Sequence, residues 1–521
     1  MNPKTVFARD ATGLVREVSA RDALIYNLMW MAPLGIFVYG VWACVLFPGV
    51  DLPSTVLVSG IVAIVVAVFY ALFNASMPRS GGDYVWNSRI LHPSIGFAAN
   101  FAFAVLVFSF PGVLMFWVTQ YSLAPMFSLW GMASVSTWLA SVNGTLEVAI
   151  VLFLLFGILI SRGVKATHVF LRITFILTIA AILTYIAVLL SVGAAGFKAN
   201  FNALSGMNYD QVVAAGTQAG YPTSYILSST LLGVAFTYFS FTGFNASVYY
   251  SGEIKKVQKS QFYAIVGAVV IYVIILWSIY FVTVTVMGSQ FVGSISYLYG
   301  TGSSAYTLPF APFFQYLFRF ASVGNPVEYS IVAIGFALMS AAAILTELFI
   351  ATRMIFAWAF DRVVPMSLAK VDAKYSSPYM SIIVATIIGM LSGVLFAYTN
   401  LLNFFLYATF GWMIMQTFTS ISGIVFPWRR KNIYEASPGI VKKKVAGIPL
   451  ISLLGVGALI CSIYIGWASV APAYEGTFQP GYLVFTISLF IIGFIIYGIS
   501  SAYRRRTGVP LEMTFKEVPP E

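Results

Sequence analysis

Charge is scarce in this chain. Asp, Glu, Lys and Arg make up 9% of its 521 residues, where soluble globular proteins usually carry about 25%. That scarcity excludes an ordinary soluble domain. Cysteine occurs twice, and both Cys44 and Cys461 fall inside long apolar runs, so no structural disulfide is expected. His92 and His168 are the only histidines, and neither has a Cys or second His at ligand spacing, so no metal and no cofactor is expected. No HExxH, GxSxG or phosphate-loop pattern occurs, and no polar segment is long enough for a catalytic domain. An enzyme is therefore not expected.

What is present is apolar: 60% hydrophobic and 17% aromatic residues, with a mean hydropathy of +0.89. A bilayer core about 30 Å thick needs roughly 20 apolar residues per helix. Twelve such segments are read along the chain, at 24–47, 54–76, 94–118, 145–161, 168–193, 225–252, 261–287, 329–358, 378–397, 402–427, 447–470 and 480–501. With the N-terminus placed in the cytoplasm, all of the 28 Lys and Arg except Lys198 and Arg319 belong to the inner side. That asymmetry predicts cytoplasmic termini in a plasma-membrane protein. It also gives the net charge of +11 a role in topology and anionic-lipid contact, and removes the reason to invoke nucleic acid. Residues 1–22 read as a cytoplasmic segment without a cleavable apolar core, 23–502 as one membrane transport domain and 503–521 as a cytoplasmic tail.

Two spans carry interruptions that a helix built only to cross would not need. The first has Ala32-Pro33-Leu34-Gly35-Ile36 near its middle. The sixth has Phe239-Ser240-Phe241-Thr242-Gly243-Phe244, inside the 42 residues 211–252 that carry no charged side chain. Broken backbone at membrane depth is tolerated only where it faces protein, water or a ligand. The two interruptions open successive five-helix units that enter from opposite sides, the pattern of an inverted repeat whose broken helices meet around a substrate. The alternative is a pair of kinked helices whose hydroxyls bond back to the preceding turn. Between the second and third spans, residues 77–86 read as an interfacial turn with Tyr84 and Trp86 at headgroup level. Residues 307–320 read as a hairpin over the outer vestibule.

These residues resemble the amino acid-polyamine-organocation superfamily of permeases over nearly the whole chain. The resemblance rests on APLGIF, on MPRSGGDYVW, on YFSFTGFN continuing to GEIKK, and on TRM followed by FDR and Pro365, in that order. It implies an all-α integral membrane protein of 12 transmembrane helices, with a five-plus-five inverted repeat, discontinuous first and sixth helices, and two peripheral helices. It also implies secondary active transport of amino acids, most simply neutral ones, by symport with a proton or sodium ion. An exchanger or a polyamine transporter is the alternative within the same class, and a channel or a receptor the alternative outside it. Carried over, the amides of Leu34, Gly35 and Ile36 face a substrate carboxylate, and the carbonyls of Ala32, Phe239 and Ser240 accept from its ammonium group. Phe239 closes over the ligand, while Gly243 and Phe244 line the side-chain pocket; Ser240 and Thr242 are read from the break itself as polar groups around a small polar ligand. The sequence departs from the family where Pro33 replaces Gly, where Asn245 replaces an acidic residue, and near Thr178, where proton-coupled relatives carry Lys. Asn245 argues against a cationic substrate.

Glu347 is the only carboxylate deep in a predicted span. A charge there costs on the order of 2.5 to 3.5 kcal/mol on insertion scales, so it is expected to be paired, protonated or functional. Two readings follow: a cation-coupling group, or a structural ion pair with Arg172.

Overall fold

The computed structural model describes residues 13–399, 408–471, 480–507 and 511–515. Parts of the expected N-terminal segment and tail, and residues 402–407 of the expected tenth span, lie outside them. Ten helices among the described residues are long and apolar enough to cross a membrane. Most begin and end within a few residues of the expected spans. The fifth is longer than expected: Val164–Leu204 runs on past a kink at Gly193. The sixth is shorter than a full span, because Leu227–Phe239 ends at the interruption, and Ala408–Arg429 supplies a further helix of 22 residues. Helix starts follow ordinary capping chemistry. The Ser19 hydroxyl accepts from the Asp22 amide, Asn325 accepts from the Val327 amide, and Pro53, Pro93 and Pro326 sit in first turns.

Packing without a hydrophobic drive between helices depends on small residues that let backbones approach. A Cβ on Gly335 would lie 2.1 Å from the Ala181 side chain, and one on Gly112 would lie 2.5 Å from the Ser392 carbonyl oxygen. These glycines seat Pro326–Phe360 on the fifth helix and Pro93–Val118 on Tyr379–Tyr398. Pro326–Phe360 is buried along most of its length and touches Ala20–Trp30 and the Pro33–Gly35 turn.

Two local expectations are corrected. Residues 83–90 form a fully buried helix, not an interfacial turn. Trp86 stacks on Phe73 with ring centroids 4.7 Å apart, and Asp83 accepts hydrogen bonds from Tyr70 (2.7 Å), Tyr249 (2.8 Å) and Thr419 (2.6 Å). The Asp83 carboxylate needs these donors from three helices, so it draws the segment inside. Residues 307–320 form a loop and the helix Phe314–Ala321, whose Phe314, Leu317 and Phe318 are buried. The aromatic side chains make it part of the core.

The end expected to face the cytoplasm is closed by ions and backbone together. Val18 bridges Ile254 in parallel fashion, with the Glu17 and Val18 amides donating to the Glu253 carbonyl at 2.9 Å. Glu253 and Arg353 form a buried two-pronged pair, both bonds 2.9 Å, and Arg89 pairs with Asp361 at 2.7 Å.

Removing one partner of a buried pair strands the other, at a cost of about 3 to 5 kcal/mol, whereas replacing both with apolar side chains is far milder. Arg353→Leu is expected to lower the Tm of the purified protein sharply, and adding Glu253→Leu to recover most of the loss. Burial, opposed by its three hydroxyl donors, pushes the Asp83 carboxyl above its ordinary range. The unfolded chain then releases this proton first as pH rises, so the group's contribution to stability declines from about pH 4 upward. Asp83→Asn is expected to flatten the Tm-versus-pH curve on that rising side.

Candidate functional site

Both interruptions are true breaks in the backbone. The first helix runs from Ala20 to Trp30, Ala32 takes a left-handed conformation (φ 52°), Pro33–Gly35 make one tight turn, and the helix resumes as Ile36–Leu46. The sixth stops at Phe239, passes through Gly243 at φ 104°, and continues as the tight helix Ala246–Glu253.

A cavity of about 650 Å³, its open mouth included, lies against both breaks. Trp30, Met31 and Ala32 come from the first helix and Phe239, Ser240 and Thr242 from the sixth. Phe103, Phe110 and Trp117 enter from the third, and Trp412 from Ala408–Arg429. Ala343 and Glu347 complete the wall. Ala32, Tyr39, Phe239 and Thr242 are only half-buried although they sit in mid-span, as residues facing a cavity would be. Phe239 contacts the rings of Tyr39 and Phe110 at 5.9 and 5.4 Å.

Of the expected site residues, Ala32, Phe239, Ser240, Thr242 and Glu347 line this cavity. Leu34, Gly35, Ile36, Gly243 and Phe244 are buried outside its wall. The amides expected to face a substrate carboxylate are engaged within the protein. Leu34 donates to the Met339 sulfur at 3.0 Å, Gly35 donates to the Ala32 carbonyl at 2.8 Å, and Ile36 donates to the Leu34 carbonyl. The hydroxyls also turn back on their own helix, Ser240 donating to the Thr237 carbonyl at 2.6 Å and Thr242 to the Phe239 carbonyl at 2.7 Å. From helix Val257–Met287 the Tyr272 hydroxyl donates to the Met31 carbonyl. Asn245 is buried and does not belong to the cavity wall, so its neutrality leaves the charge of the cavity to other groups.

Glu347 is 6% exposed. Trp30 lines the same wall, and the Glu347 Oε2 meets no donor among the described residues. The ion pair with Arg172 is not formed. Arg172 instead grips Asp22 through Nε at 2.6 Å and a terminal nitrogen at 2.8 Å, because Asp22 at the start of the first helix lies within its reach. Glu347 is the only charged side chain among the described residues of the wall.

The aromatic side chains Trp30, Tyr39, Phe110, Trp117 and Trp412 escape sequence reasoning. An aromatic in an apolar span reads the same whether it faces lipid, core or cavity. Only the polar residues at the breaks mark the place.

Residues 23–503 match the family described as amino acid permease. The methylthioribose transporter of Bacillus subtilis (strain 168) is 23% identical over 466 residues, 87% of this chain and 88% of that protein.

Gly243 is required for the shape of this site, since a Cβ there would lie 2.6 Å from Trp30 Cγ and the φ is unfavourable for any L side chain. Gly243→Ala is expected to destabilise the protein by about 1 to 3 kcal/mol through overpacking, read as a lowered Tm. Trp30→Leu in the same chain is expected to recover part of that loss.

Proposed function

We propose that this chain, which belongs to the amino acid permease family, is a secondary transporter that moves an amino acid or a related small amine by alternating access, with the cavity at the two helix breaks as its binding site. The observation that carries this reading is one aromatic cavity touching both breaks and holding a single carboxylate. A polar path running the length of the protein would suit a channel; here the polar groups gather at mid-depth.

The full reading has twelve crossings, the first five and the next five related as an inverted repeat, and both termini on the cytoplasmic side of the plasma membrane. The Val18–Ile254 bridge and the Glu253–Arg353 pair then act as the inner gate. Both must part for the cavity to open inward, and Glu347, six residues or about 9 Å along the helix from Arg353, is the group that couples a cation to the movement. Ser240 and Thr242 donate to backbone, so they hold the break open and offer oxygen lone pairs to a ligand.

A second reading takes its support from the methylthioribose transporter. A neutral sugar thioether would lie against the faces of Trp30, Trp117 and Trp412 and donate a hydroxyl to Glu347.

Reconstitution into liposomes tests the function. Uptake is expected to saturate and to show counterflow, since a carrier returns loaded; linear uptake without counterflow would point to a channel. Phe239→Ala is expected to weaken substrate affinity at least about tenfold, some 1.4 kcal/mol, while the Tm without ligand changes little. An equal loss of affinity and stability would make Phe239 a packing residue only.

A further inference from the structure

The charge of the cavity wall is unbalanced. Glu347 brings a carboxylate whose Oε2 meets no donor, and no described residue of the wall brings a cation. The amides that could receive a substrate carboxylate are spent on Met339 Sδ and on the Ala32 carbonyl. A zwitterionic amino acid would therefore find an opposite charge for its ammonium group and no cation for its carboxylate, only the unpartnered Trp412 Nε1–H. An amine without a carboxylate would be matched at both ends: its charge by Glu347, its body by the faces of Trp30, Trp117 and Trp412, where a cation is also attracted to the rings.

A carboxylate at this depth is tolerated when neutralised, by a proton or by a paired cation. The two neutralising partners compete for the same oxygens. We propose that Glu347 is occupied alternately by the ammonium group of a monovalent amine and by a proton, so that the protein exchanges one amine for one proton. When the amine arrives, the Glu347 O–H bond breaks, the proton leaves to water through the open side, and an N–H···O ion pair replaces it. When the amine departs, a proton returns. Both loaded forms carry no net charge in the cavity, whereas the empty carboxylate and the doubly occupied site each carry one. Only the loaded forms cross, and the exchange is electroneutral. This rests on the cavity being the transport site.

The groups facing Glu347 leave it as the titrating centre. Helix Pro93–Val118 brings no titratable side chain, and the first helix brings the phenols Tyr26 and Tyr39, which do not ionise near neutrality. The sixth adds Tyr249, Tyr250 and Glu253, and the last of these is paired with Arg353. Asp22 and Arg172 are paired with each other. The outer ends add Tyr185, Tyr316 and Arg319, with Tyr121 beside them. His168, packed edge-on against Tyr26 at 5.8 Å, is the one imidazole in this region.

Calorimetry on the purified full-length chain tests the exchange, with primary amines from methylamine to phenethylamine and tryptamine set beside the amino acids of the same side chains and methylthioribose. At least one amine is expected to bind ten times more tightly than its amino acid. Its affinity should rise up to tenfold per pH unit, with proton release visible as a dependence of the heat on the buffer's ionisation enthalpy. Glu347→Gln should abolish amine binding and proton release without lowering the Tm, and pH dependence surviving in that variant would assign the proton to His168 and overturn the proposal. In liposomes, the uptake that wild type shows above Glu347→Gln should follow the pH gradient and ignore an imposed potassium diffusion potential. Tighter binding of amino acids or of methylthioribose than of every amine, if weakened by Phe239→Ala, would keep the cavity as the transport site and overturn the exchange. Binding of any ligand that is indifferent to Phe239→Ala and Glu347→Gln would remove the site itself, and the exchange with it.

Discussion

Backbone polar groups inside hydrocarbon must find partners within the protein, each unsatisfied group costing several kcal/mol, and two helices here are broken in mid-span. Much of the surrounding structure answers that requirement. The Met31 carbonyl, freed at the first break, receives the Tyr272 hydroxyl. The Leu34 amide reaches Met339 Sδ, and the Gly35 amide closes a tight turn onto Ala32. At the sixth helix the carbonyls of Thr237 and Phe239 are served by Ser240 and Thr242. Hydroxyls that look ligand-seeking in the sequence thus turn to carbonyls that the Ser240 and Thr242 amides also reach. The cavity is what remains between two helices held open in this way.

Buried charge is treated with the same strictness. Asp22 has Arg172, Glu253 has Arg353, and Asp361 has Arg89. Asp83 has three hydroxyls. Each of these acids ties together segments far apart in the chain, and most lie at the end that carries the Val18–Ile254 bridge. They lock that end of the bundle. Glu347 differs in that its Oε2 meets no donor among the described residues. Its position in a cavity wall means that a solute, a proton or both can complete its coordination, which the structural acids do not require.

A multi-pass membrane protein of the amino acid permease family was legible in the sequence for a physical reason. Span length and the scarcity of charge are imposed by bilayer thickness and by the cost of burying ions, and neither depends on how helices pack. The breaks were legible because Pro33 with Gly35, and Gly243 with Ser240 and Thr242, gather near the middle of two spans. Tertiary structure decided what no local pattern contains. Whether Arg172 reaches Glu347 or Asp22 depends on where the fifth helix meets the first. Whether Trp86 meets headgroups or Phe73 depends on the pull of Tyr70, Tyr249 and Thr419 on Asp83. Which aromatics face the cavity depends on the rotation of each helix about its axis. In a span apolar on every side the hydrophobic period is lost, so that rotation is set by the fit of Gly335 on Ala181 and Gly112 on Ser392, contacts between residues more than a hundred positions apart.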